Sequence, residues 1–417
     1  MKYNPIPQRN ILFLQGPPGP FFWLLAQRLR EMGHGIHRIN LNGGDRGDWP
    51  GDAYDYRGTR RRWVFAVDQY MRDNAITDIM LFGDCRPWHM AAHQMAKLRD
   101  IHVHVFEEGY IRPDWVTLEP SGVNGHSSLP RDPQWYRDQA RYLPPVPKRP
   151  TITASFGRRA HDAYWYYHRT FMAQPYYPFY RSHRPGSIIT EGFGWLSMLA
   201  RRDRLARKAE EKIAAVEGKP YFLFPLQLTN DYQIRAHSPF ASMVEAVEYV
   251  MSSFARRAPR DALLLVKEHP LNFSMFSWES TLKNYERQFK LDGRVLHIAG
   301  GDLETLARGS RGMVTVNSTS ATLALRENVP TIALGTAIYD MTDITHQGKL
   351  DDFWSRPQRP DAETYDAFQR VLHDRCLVYG GFASKSAVET LVDSTVQRLM
   401  QQGPAPLEPM HVVAAFG

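Results

Sequence analysis

The chain is poor in cysteine and contains no long apolar run. Cys85 and Cys376 are its only 2 cysteines among 417 residues, and they lie far apart in no spacing typical of metal ligands. Neither a disulfide framework nor a zinc site is therefore predicted. No apolar run approaches the roughly 20 residues that cross a bilayer, and the segment Met1 to Asn10 lacks the apolar core of a signal peptide. These absences predict a cytoplasmic protein.

Two common catalytic motifs are also missing. The turn Gly16-Pro17-Pro18-Gly19 lacks the Gly-Lys-Ser/Thr ending of a phosphate-binding loop, and its prolines remove N–H groups that such a loop needs. The Gly-x-Ser-x-Gly elbow of α/β hydrolases does not occur. No acidic cluster is placed to bridge a diphosphate through a metal ion. The sequence therefore predicts neither a metal nor a cofactor.

Composition and length indicate a globular protein of two domains. Hydrophobic residues make up 43% and charged residues 23% of the chain, and 417 residues exceed what one core usually supports. Strand-like and helix-like patterns alternate, which predicts two α/β domains with largely parallel sheets that meet near Gly218 and face a cleft. The predicted strands are Asn10–Gln15, Ile36–Leu41, Ile79–Phe82 and Ile101–Phe106, then Tyr221–Phe224, Ala262–Val266, Met313–Val316 and Thr331–Leu334.

A basic and aromatic insertion covers about 145–215. Between Lys148 and Arg184 the chain has 7 Lys/Arg and 1 acid, Asp162, and 10 aromatic residues follow from Phe156 to Tyr180. Amphipathic rings and basic side chains suit the headgroup layer of an anionic membrane. The candidate membrane contacts are Arg158, Arg159 and Arg169. The alternative is a packed helical insertion with aromatic residues in the core and solvated arginines; nucleic-acid binding is not expected.

Four short polar signals stand directly after predicted strands. They are Glu107-Glu108-Gly109, Gln227 with Asp231, Lys267-Glu268-His269-Pro270, and Asn317-Ser318-Thr319-Ser320. Because ligands of open parallel sheets gather outside the carboxyl ends of the strands, we expect all four signals to face one crevice.

Each signal has a chemical and a structural interpretation. Adjacent carboxylates can push their pKa values apart and keep one acid protonated near neutral pH, but two adjacent acids are also common in solvated loops. Hydroxyl and N–H groups that open a helix can bind phosphate, or they can simply cap the helix. Asp231 is equally suited to a turn, and His269 to a hydrogen-bonded loop. The coincidence of four signals favours one site.

The same residues carry a family resemblance. The run from Phe106 to Glu119, FEEGYIRPDWVTLE, resembles the signature of bacterial capsular polysaccharide biosynthesis proteins of the KpsS type, which are related to the KpsC proteins. Pro225-Leu226-Gln227 with Asp231, and the signals at 267–270 and 317–320, are similar to further motifs of that family. The Glu-Glu-Gly, His-Pro and Ser-Thr elements also resemble those of bacterial sialyltransferases, which use CMP-activated sugars. The resemblance covers about 10–120 and 220–350.

The resemblance implies a GT-B-like fold and a glycosyltransferase. The KpsS type moves Kdo, a 3-deoxy octulosonic acid, from CMP-Kdo to a phosphatidylglycerol-type lipid, as the first β-Kdo of a capsule linker. Residues 1–217 would then form the acceptor side and residues 218–417 the CMP-sugar side. The protein would work on the inner face of the inner membrane, with other capsule biosynthesis and export proteins as partners and without nucleic acid.

A retaining reaction assigns roles to the motif residues. Asp231 would attack the anomeric carbon, Glu108 would act as acid/base, and His269 would help CMP to leave. The expected substrate-binding residues are Glu107, Gly109, Gln227, Lys267, Pro270, Asn317, Ser318, Thr319 and Ser320. In an inverting alternative Glu108 is the only base and Asp231 binds sugar hydroxyls. In a non-catalytic alternative the chain is a lipid- or polysaccharide-binding component of an export machine.

Overall fold

A computed structural model describes residues 8–152, 155–182, 204–205, 207–228, 232–269 and 276–401. They form two α/β units, each built on a sheet that is mostly or wholly parallel, which confirms the predicted fold class. Within these ranges no helix combines the length and the apolarity that crossing a bilayer requires.

The first unit is built on a seven-stranded sheet. Its order is β12-β6-β5-β4-β1-β2-β3, and only β6 runs antiparallel to its two neighbours. The strands are β1 Asn10–Phe13, β2 Gly35–Asn40, β3 Tyr54–Asp55, β4 Asp78–Phe82, β5 His102–Glu108, β6 Trp115–Pro120 and β12 Leu377–Tyr379. The helices are α1 Phe21–Glu31, α2 Gly43–Gly47, α3 Arg60–Asp73, α4 Pro87–Lys97, α5 Pro133–Ala140 and α6 Phe156–Met172.

The second unit is built on a five-stranded parallel sheet of order β11-β10-β7-β8-β9. Its strands are β7 Tyr221–Pro225, β8 Leu263–Lys267, β9 Val295–Ile298, β10 Gly312–Thr315 and β11 Thr331–Ala333. The helices that follow α6 are α7 over 207–216, α8 Tyr232–His237, α9 Met243–Arg257, α10 Trp278–Gln288, α11 Leu303–Arg308, α12 Ala321–Arg326, α13 Leu350–Phe353, α14 Ala362–Arg375 and α15 Lys385–Gln401.

The C-terminal strand and helix return to the first unit. Strand β12 pairs antiparallel with β6, with Val378 opposite Val116. Leu391 of α15 is buried in the same core cluster as Phe13 and Phe106. This differs from the expected division, which gave all of 218–417 to the second domain. Strand β12 and helix α15 cover apolar surface of β6 and α1 that would otherwise be exposed to water, and this burial favours their return to the first unit.

The basic aromatic insertion is fixed to the first unit by a close helix contact. A Cβ atom on Gly43 of α2 would lie 2.3 Å from the carbonyl oxygen of Arg169 in α6, so the backbones approach closely only because that side chain is absent. Tyr166 of α6 is buried, and its hydroxyl donates to Asp45 Oδ1 at 2.9 Å. One face of α6 is therefore core, as the structural alternative predicted.

Candidate active site

Both sheets reverse their winding direction next to their first strand, and polar side chains mark the two places. Gln15 follows β1 and Arg86 follows β4; Arg86 Nη1 donates to Gln15 Oε1 at 3.0 Å. Gln227 follows β7 and Asn317 follows β10; Gln227 Nε2 donates to Asn317 Oδ1 at 2.9 Å, and the Asn317 backbone N–H donates to Gln227 Oε1 at 3.1 Å. Such reversals open a crevice at the carboxyl ends of the strands. The structure thus brings together the predicted Gln227 and Asn317.

The first carboxylate of the pair, Glu107, has a raised pKa. Its Oε1 accepts from the backbone N–H of Glu108 at 3.1 Å, and its Oε2 would be 3.4 Å from a Cβ on Gly83 at the end of β4. Burial is the main cause that raises the pKa of Glu107 to about 7; the charges of Glu108 and Asp84 add to it, and Arg86 opposes it. Glu107 is therefore partly protonated at neutral pH.

Replacing Glu107 by glutamine is expected to remove a pH dependence of stability. Because its pKa rises to about 7 on folding, the folded chain keeps a proton that the unfolded chain loses above about pH 4.5. Between pH 4.5 and pH 7 the free energy of unfolding of the wild type should therefore fall by roughly 1–3 kcal/mol relative to that of the variant. Above pH 7 the difference between the two proteins should stay constant. Urea unfolding at several pH values measures this difference, with the exposed Glu363→Gln as control. If the free energy of unfolding depended on pH in the same way for the wild type and for Glu107→Gln, the raised pKa of Glu107 would be contradicted.

The second carboxylate of the pair faces the insertion. Glu108 Oε1 forms an ion pair with Arg159 Nη2 of α6. Arg159 keeps 49% of its side-chain surface exposed, so the pair lies at the rim and not in the core. The predicted membrane contact and the predicted acid/base are thus neighbours, and the insertion belongs to the surroundings of the site.

Gly109 and Tyr110 connect the first motif to the second unit. A Cβ on Gly109 would lie 2.0 Å from the carbonyl oxygen of Trp115, so only glycine fits this turn. The carbonyl oxygen of Tyr110 accepts from Thr322 Oγ1 at 3.0 Å. Thr322 lies in α12, directly after the predicted hydroxyl cluster. The residue directly after the first signal and the helix that follows the fourth signal therefore contact each other across the two units.

Arg112 and Lys267 are electrostatic neighbours of His269 in the third signal. Lys267 ends β8 with a buried side chain, and burial lowers its pKa, whereas the charges of Asp302 and Glu268 oppose this effect. Burial, Arg112 and Lys267 together lower the pKa of His269 to about 4. His269 is therefore neutral at physiological pH, with two cations as electrostatic neighbours. Arg112 comes from the first motif, so this cationic cluster (Arg112, Lys267 and His269) also spans both units.

The hydroxyls of the fourth signal form their own turn. Ser318 Oγ lies 2.8 Å from Ser320 Oγ and accepts from the Ser320 backbone N–H at 3.2 Å. Ser320 is the N-cap of α12 but makes no side-chain capping hydrogen bond. The carbonyl oxygen of Thr319 accepts from Thr322 Oγ1 at 2.8 Å. Simple helix capping therefore does not explain the hydroxyl at Ser320.

Asp231 and Pro270 lie outside the residues that the structure describes, so their roles stay predictions. Glu268, the acid inside the third signal, contacts His297 Nε2 through its Oε2 at 3.1 Å. This contact joins the end of β8 to β9, so the side chain has a structural partner within its own sheet.

The other two predicted membrane contacts are ion-paired. Arg158 Nε lies 2.9 Å from Asp162 Oδ2, and Arg169 Nη1 lies 3.3 Å from Asp48 Oδ1. Both arginines keep more than 40% of their side-chain surface exposed. They remain at the surface, but part of their charge is balanced within the first unit, and this weakens each one as an isolated attraction for an anionic surface.

The exposed face of α6 is aromatic. Its exposed large side chains recur at helical spacing, opposite the buried Tyr166: Tyr164 at 60%, Trp165 at 39%, Phe171 at 47% and Met172 at 63% exposure. His168 lies among them, with its ring 5.9 Å from that of Tyr164 and 5.3 Å from that of Trp165. Residues three and four apart share a helix face, so these side chains form one continuous patch, the α6 patch.

Sequence reasoning missed a polar cluster between the units. Asp84 and Cys85 follow β4 after Gly83, and His126 and His237 lie beside them. The signal was available, because Asp84-Cys85-Arg86 follows a predicted strand just as the four recognised signals do. A cavity of about 540 Å³ borders the cluster at His237 and extends between the units.

Comparison with known proteins agrees with the motifs. A family model described as "Capsule polysaccharide biosynthesis protein" matches residues 77–382. The chain is 34% identical over 370 residues to the capsule polysaccharide export protein KpsS of Escherichia coli. The alignment covers 87% of this chain and 94% of the relative. It is also 34% identical over 400 residues to the capsule polysaccharide modification protein LipB of Neisseria meningitidis serogroup B, covering 90% and 92% of the two chains.

Among solved structures, a Thermosulfurimonas dismutans KpsC structure described as a beta Kdo 2,7 transferase matches with a TM-score of 0.43 and 12% identity, covering 94% of this chain and 100% of that one. The family match spans well over half of the chain and includes the first, third and fourth motifs together with Gln227. Together with the two relatives that are matched over nearly their whole length, it shows that the chain belongs to the capsule polysaccharide biosynthesis protein family.

Proposed function

We propose that the protein transfers Kdo from CMP-Kdo to a phosphatidylglycerol-type lipid and so places the first β-Kdo of a capsule linker. The observation that carries the proposal is the cationic cluster of Arg112, Lys267 and neutral His269 between the two units. A CMP-activated keto acid carries a phosphate and a sugar carboxylate, and paired cations with an imidazole recognise such groups. Because the chain belongs to this family, a capsule sugar is the expected group that is transferred.

The proposed reaction is retaining and has two steps. The Asp231 carboxylate attacks the anomeric carbon of Kdo, the bond from that carbon to the phosphate oxygen breaks, and CMP leaves with the bonding electrons. Glu108 then takes the proton of the acceptor hydroxyl, whose oxygen attacks the same carbon and releases Asp231. Glu107, with its pKa near 7, is a second base within the same pair. A comparison of the pH–rate profiles of Glu107→Gln and Glu108→Gln identifies which carboxylate accepts the proton of the acceptor hydroxyl.

The cationic cluster would act on the leaving group. Arg112 and Lys267 offset the charge that grows on CMP as the bond breaks, and His269 offers a neutral ring N–H as donor. Ser318, Thr319 and Ser320 add hydroxyl groups near the same crevice. Gln227 is held by two hydrogen bonds with Asn317, which fix the orientation of its amide.

A release assay separates transfer from the non-catalytic alternative. We expect purified protein to release CMP from CMP-Kdo when a phosphatidylglycerol-type lipid is present, and to release much less from CMP-sialic acid. Release from CMP-sialic acid alone would favour a sialyltransferase-like enzyme. Absence of CMP release with every lipid tested would favour a binding component of an export machine.

The lipid acceptor also requires contact with a membrane, and the α6 patch supports this part of the proposal. Its aromatic side chains face outward and are flanked by Arg158 and Arg169. Amphipathic rings settle at the headgroup level, and basic residues next to them add attraction to anionic lipid. The ion pair from Glu108 to Arg159 connects this surface to the carboxylate pair. The protein is thus proposed to lie on the inner face of the inner membrane.

Changing Trp165, Phe171 and Met172 together to serine is expected to weaken vesicle binding about tenfold or more. Each side chain loses apolar area that it would bury among lipid headgroups. Sedimentation with phosphatidylglycerol vesicles measures the change, and transfer to a short-chain soluble acceptor should persist. The double change Phe65→Ser and Leu98→Ser, at two side chains that are 76% and 77% exposed outside α6, is the matched control.

The arginines are tested separately by salt and by charge reversal. Changing Arg158, Arg159 and Arg169 to Glu should abolish vesicle binding, and added salt should weaken binding of the wild type by screening. Because Arg159 also contacts Glu108, the reversal of Arg158 and Arg169 alone is the cleaner variant. If neither the serine nor the glutamate set changes vesicle sedimentation, the insertion is a structural element and the membrane proposal fails.

A further inference from the structure

Three side chains with metal-binding atoms meet between the two units. Cys85 follows β4, His126 ends a short 3₁₀ turn at Asn124–His126, and His237 ends α8 in the second unit. Their ligand atoms all lie within 4.8 Å of one another. Cys85 Sγ is 3.4 Å from His237 Nε2, and the two imidazole rings have centroids 4.6 Å apart. Residues distant in the chain therefore converge on one point.

The distances suit a tetrahedral ion. With a Zn–S bond of about 2.3 Å and a Zn–N bond of about 2.0–2.1 Å, a thiolate sulfur and an imidazole nitrogen on the same zinc lie about 3.6 Å apart. The observed separation of Cys85 Sγ and His237 Nε2 is 3.4 Å. This pair already has the required separation, and the other pairs, which lie within 4.8 Å, must draw closer for the three ligands to close around a metal.

The neighbours of the histidines orient them for this role. Asp84 Oδ2 accepts from His126 Nδ1 at 3.0 Å and also from the Val123 backbone N–H at 3.2 Å. When a carboxylate accepts a hydrogen bond from one ring nitrogen of a histidine, the other ring nitrogen has a free lone pair that can bind a metal. Metal-bound histidines commonly have such a carboxylate partner. A Cβ on Gly125 would lie 2.3 Å from His237 Nδ1, so this close approach of the ring depends on glycine.

We propose that Cys85, His126 and His237 bind a divalent transition metal, with zinc as the best fit, and that the ion links the two α/β units. One thiolate and two imidazoles match the borderline softness of zinc and not the oxygen preference of magnesium or calcium. Cys85 gives up its thiol proton to solvent when the metal binds. Three protein ligands leave one coordination position for water or another ligand. The cavity at His237 supplies a route of entry.

The inference is independent of the transferase proposal, because it concerns metal binding and not turnover. Tag-free protein is stripped with a chelator, dialysed against zinc, passed over a desalting column, and analysed for metal by mass spectrometry. We expect about one zinc per chain in the wild type. The variants Cys85→Ser and His237→Gln should bind zinc at least 100-fold more weakly, and Asp84→Asn about 10- to 100-fold more weakly. Cys376→Ser is the matched control, because this second cysteine is also buried and is not one of the three ligands.

A measurement on the wild type alone guards against variants that do not fold. Cobalt in place of zinc should give the charge-transfer absorption of a thiolate ligand, and zinc should protect Cys85 from alkylation. A wild type that retains no zinc, or a folded Cys85→Ser variant that retains as much as the wild type, would overturn the proposal. Cobalt binding without thiolate absorption would overturn it as well. After any of these results, the contact between Cys85 and His237 would be interpreted as a hydrogen bond and not as part of a metal site.

Discussion

Replacing Asp231 by alanine is expected to reduce Kdo transfer by at least about 1,000-fold while the protein stays folded. In the retaining reaction this carboxylate forms the bond that replaces the link to CMP, so no other group can substitute for it. Removal of a nucleophile in a concerted set of catalytic groups costs several orders of magnitude in kcat. Asp231→Asn should be nearly as inactive, because its amide is a poor nucleophile of almost the same size.

The mechanism makes a second demand on the same residue. Wild-type protein mixed with CMP-Kdo without acceptor should show a mass increase of one Kdo, and peptide analysis should locate it on Asp231. Thermal unfolding verifies that the variants fold, and Asp292→Ala, an exposed acid before a turn glycine, is the matched control. Normal transfer by Asp231→Ala would remove the covalent scheme. Full transfer by wild type with no adduct under any condition would favour the inverting alternative.

The cationic cluster carries the second large effect. We expect Arg112→Ala and Lys267→Ala each to weaken CMP-Kdo binding about 10- to 100-fold, since a hydrogen bond to a charged group contributes roughly 1.5–3 kcal/mol. The double variant should bind CMP-Kdo more weakly than either single variant, because both residues act on the same anion from different units. Donor binding measured by calorimetry with Asp231→Asn avoids turnover during the titration.

Matched variants distinguish a binding role from a structural one. Lys283→Ala removes a lysine that is 64% exposed and pairs with Glu279 on its own helix, so it should leave donor binding unchanged. Lys267 is buried, and its removal can also alter the packing of β8; Lys267→Arg keeps the charge and should retain part of the affinity. If Arg112→Ala and Lys267→Ala bind CMP-Kdo as the wild type does, the donor does not occupy this cluster.

Much of the fold follows from local pattern. Short apolar runs such as 79–82 and 221–224 are bounded by turn residues and alternate with amphipathic helices, and this pattern predicts parallel α/β units. Strand β12 was beyond this reasoning. It has three residues, and nothing in its sequence indicates that it leaves the second half of the chain to pair with β6 in the first unit. That choice depends on which sheet edge remains uncovered, a property of the assembled chain.

The site shows the same division. The placement of Gln227 near Asn317 followed from the rule that parallel strands end at one edge. The raised pKa of Glu107 was expected for the pair but not for that member, because it depends on burial beside Gly83. The meeting of Cys85 with His237 joins residues 152 positions apart on different units, and no spacing rule reaches that far.

The face of α6 illustrates what composition alone leaves open. Composition indicated a basic, aromatic membrane surface, whereas Tyr166 and Arg159 prove to be partners of Asp45 and Glu108. Composition counts side chains without their direction, and a helix sends every third or fourth residue to the same side. Only the helical phase, fixed by the glycine contact of α2, separates core rings from the exposed α6 patch.

The most direct test of the account is the mass of the lipid product. Purified protein is incubated with CMP-Kdo and a phosphatidylglycerol-type acceptor in vesicles, and the extracted lipid is analysed by mass spectrometry, with Asp231→Ala as the inactive control. The account predicts acceptor lipid that carries one Kdo in a β linkage, together with an equal amount of CMP. Unchanged lipid in the presence of intact donor, under conditions in which the protein is folded and bound to the vesicles, would contradict it.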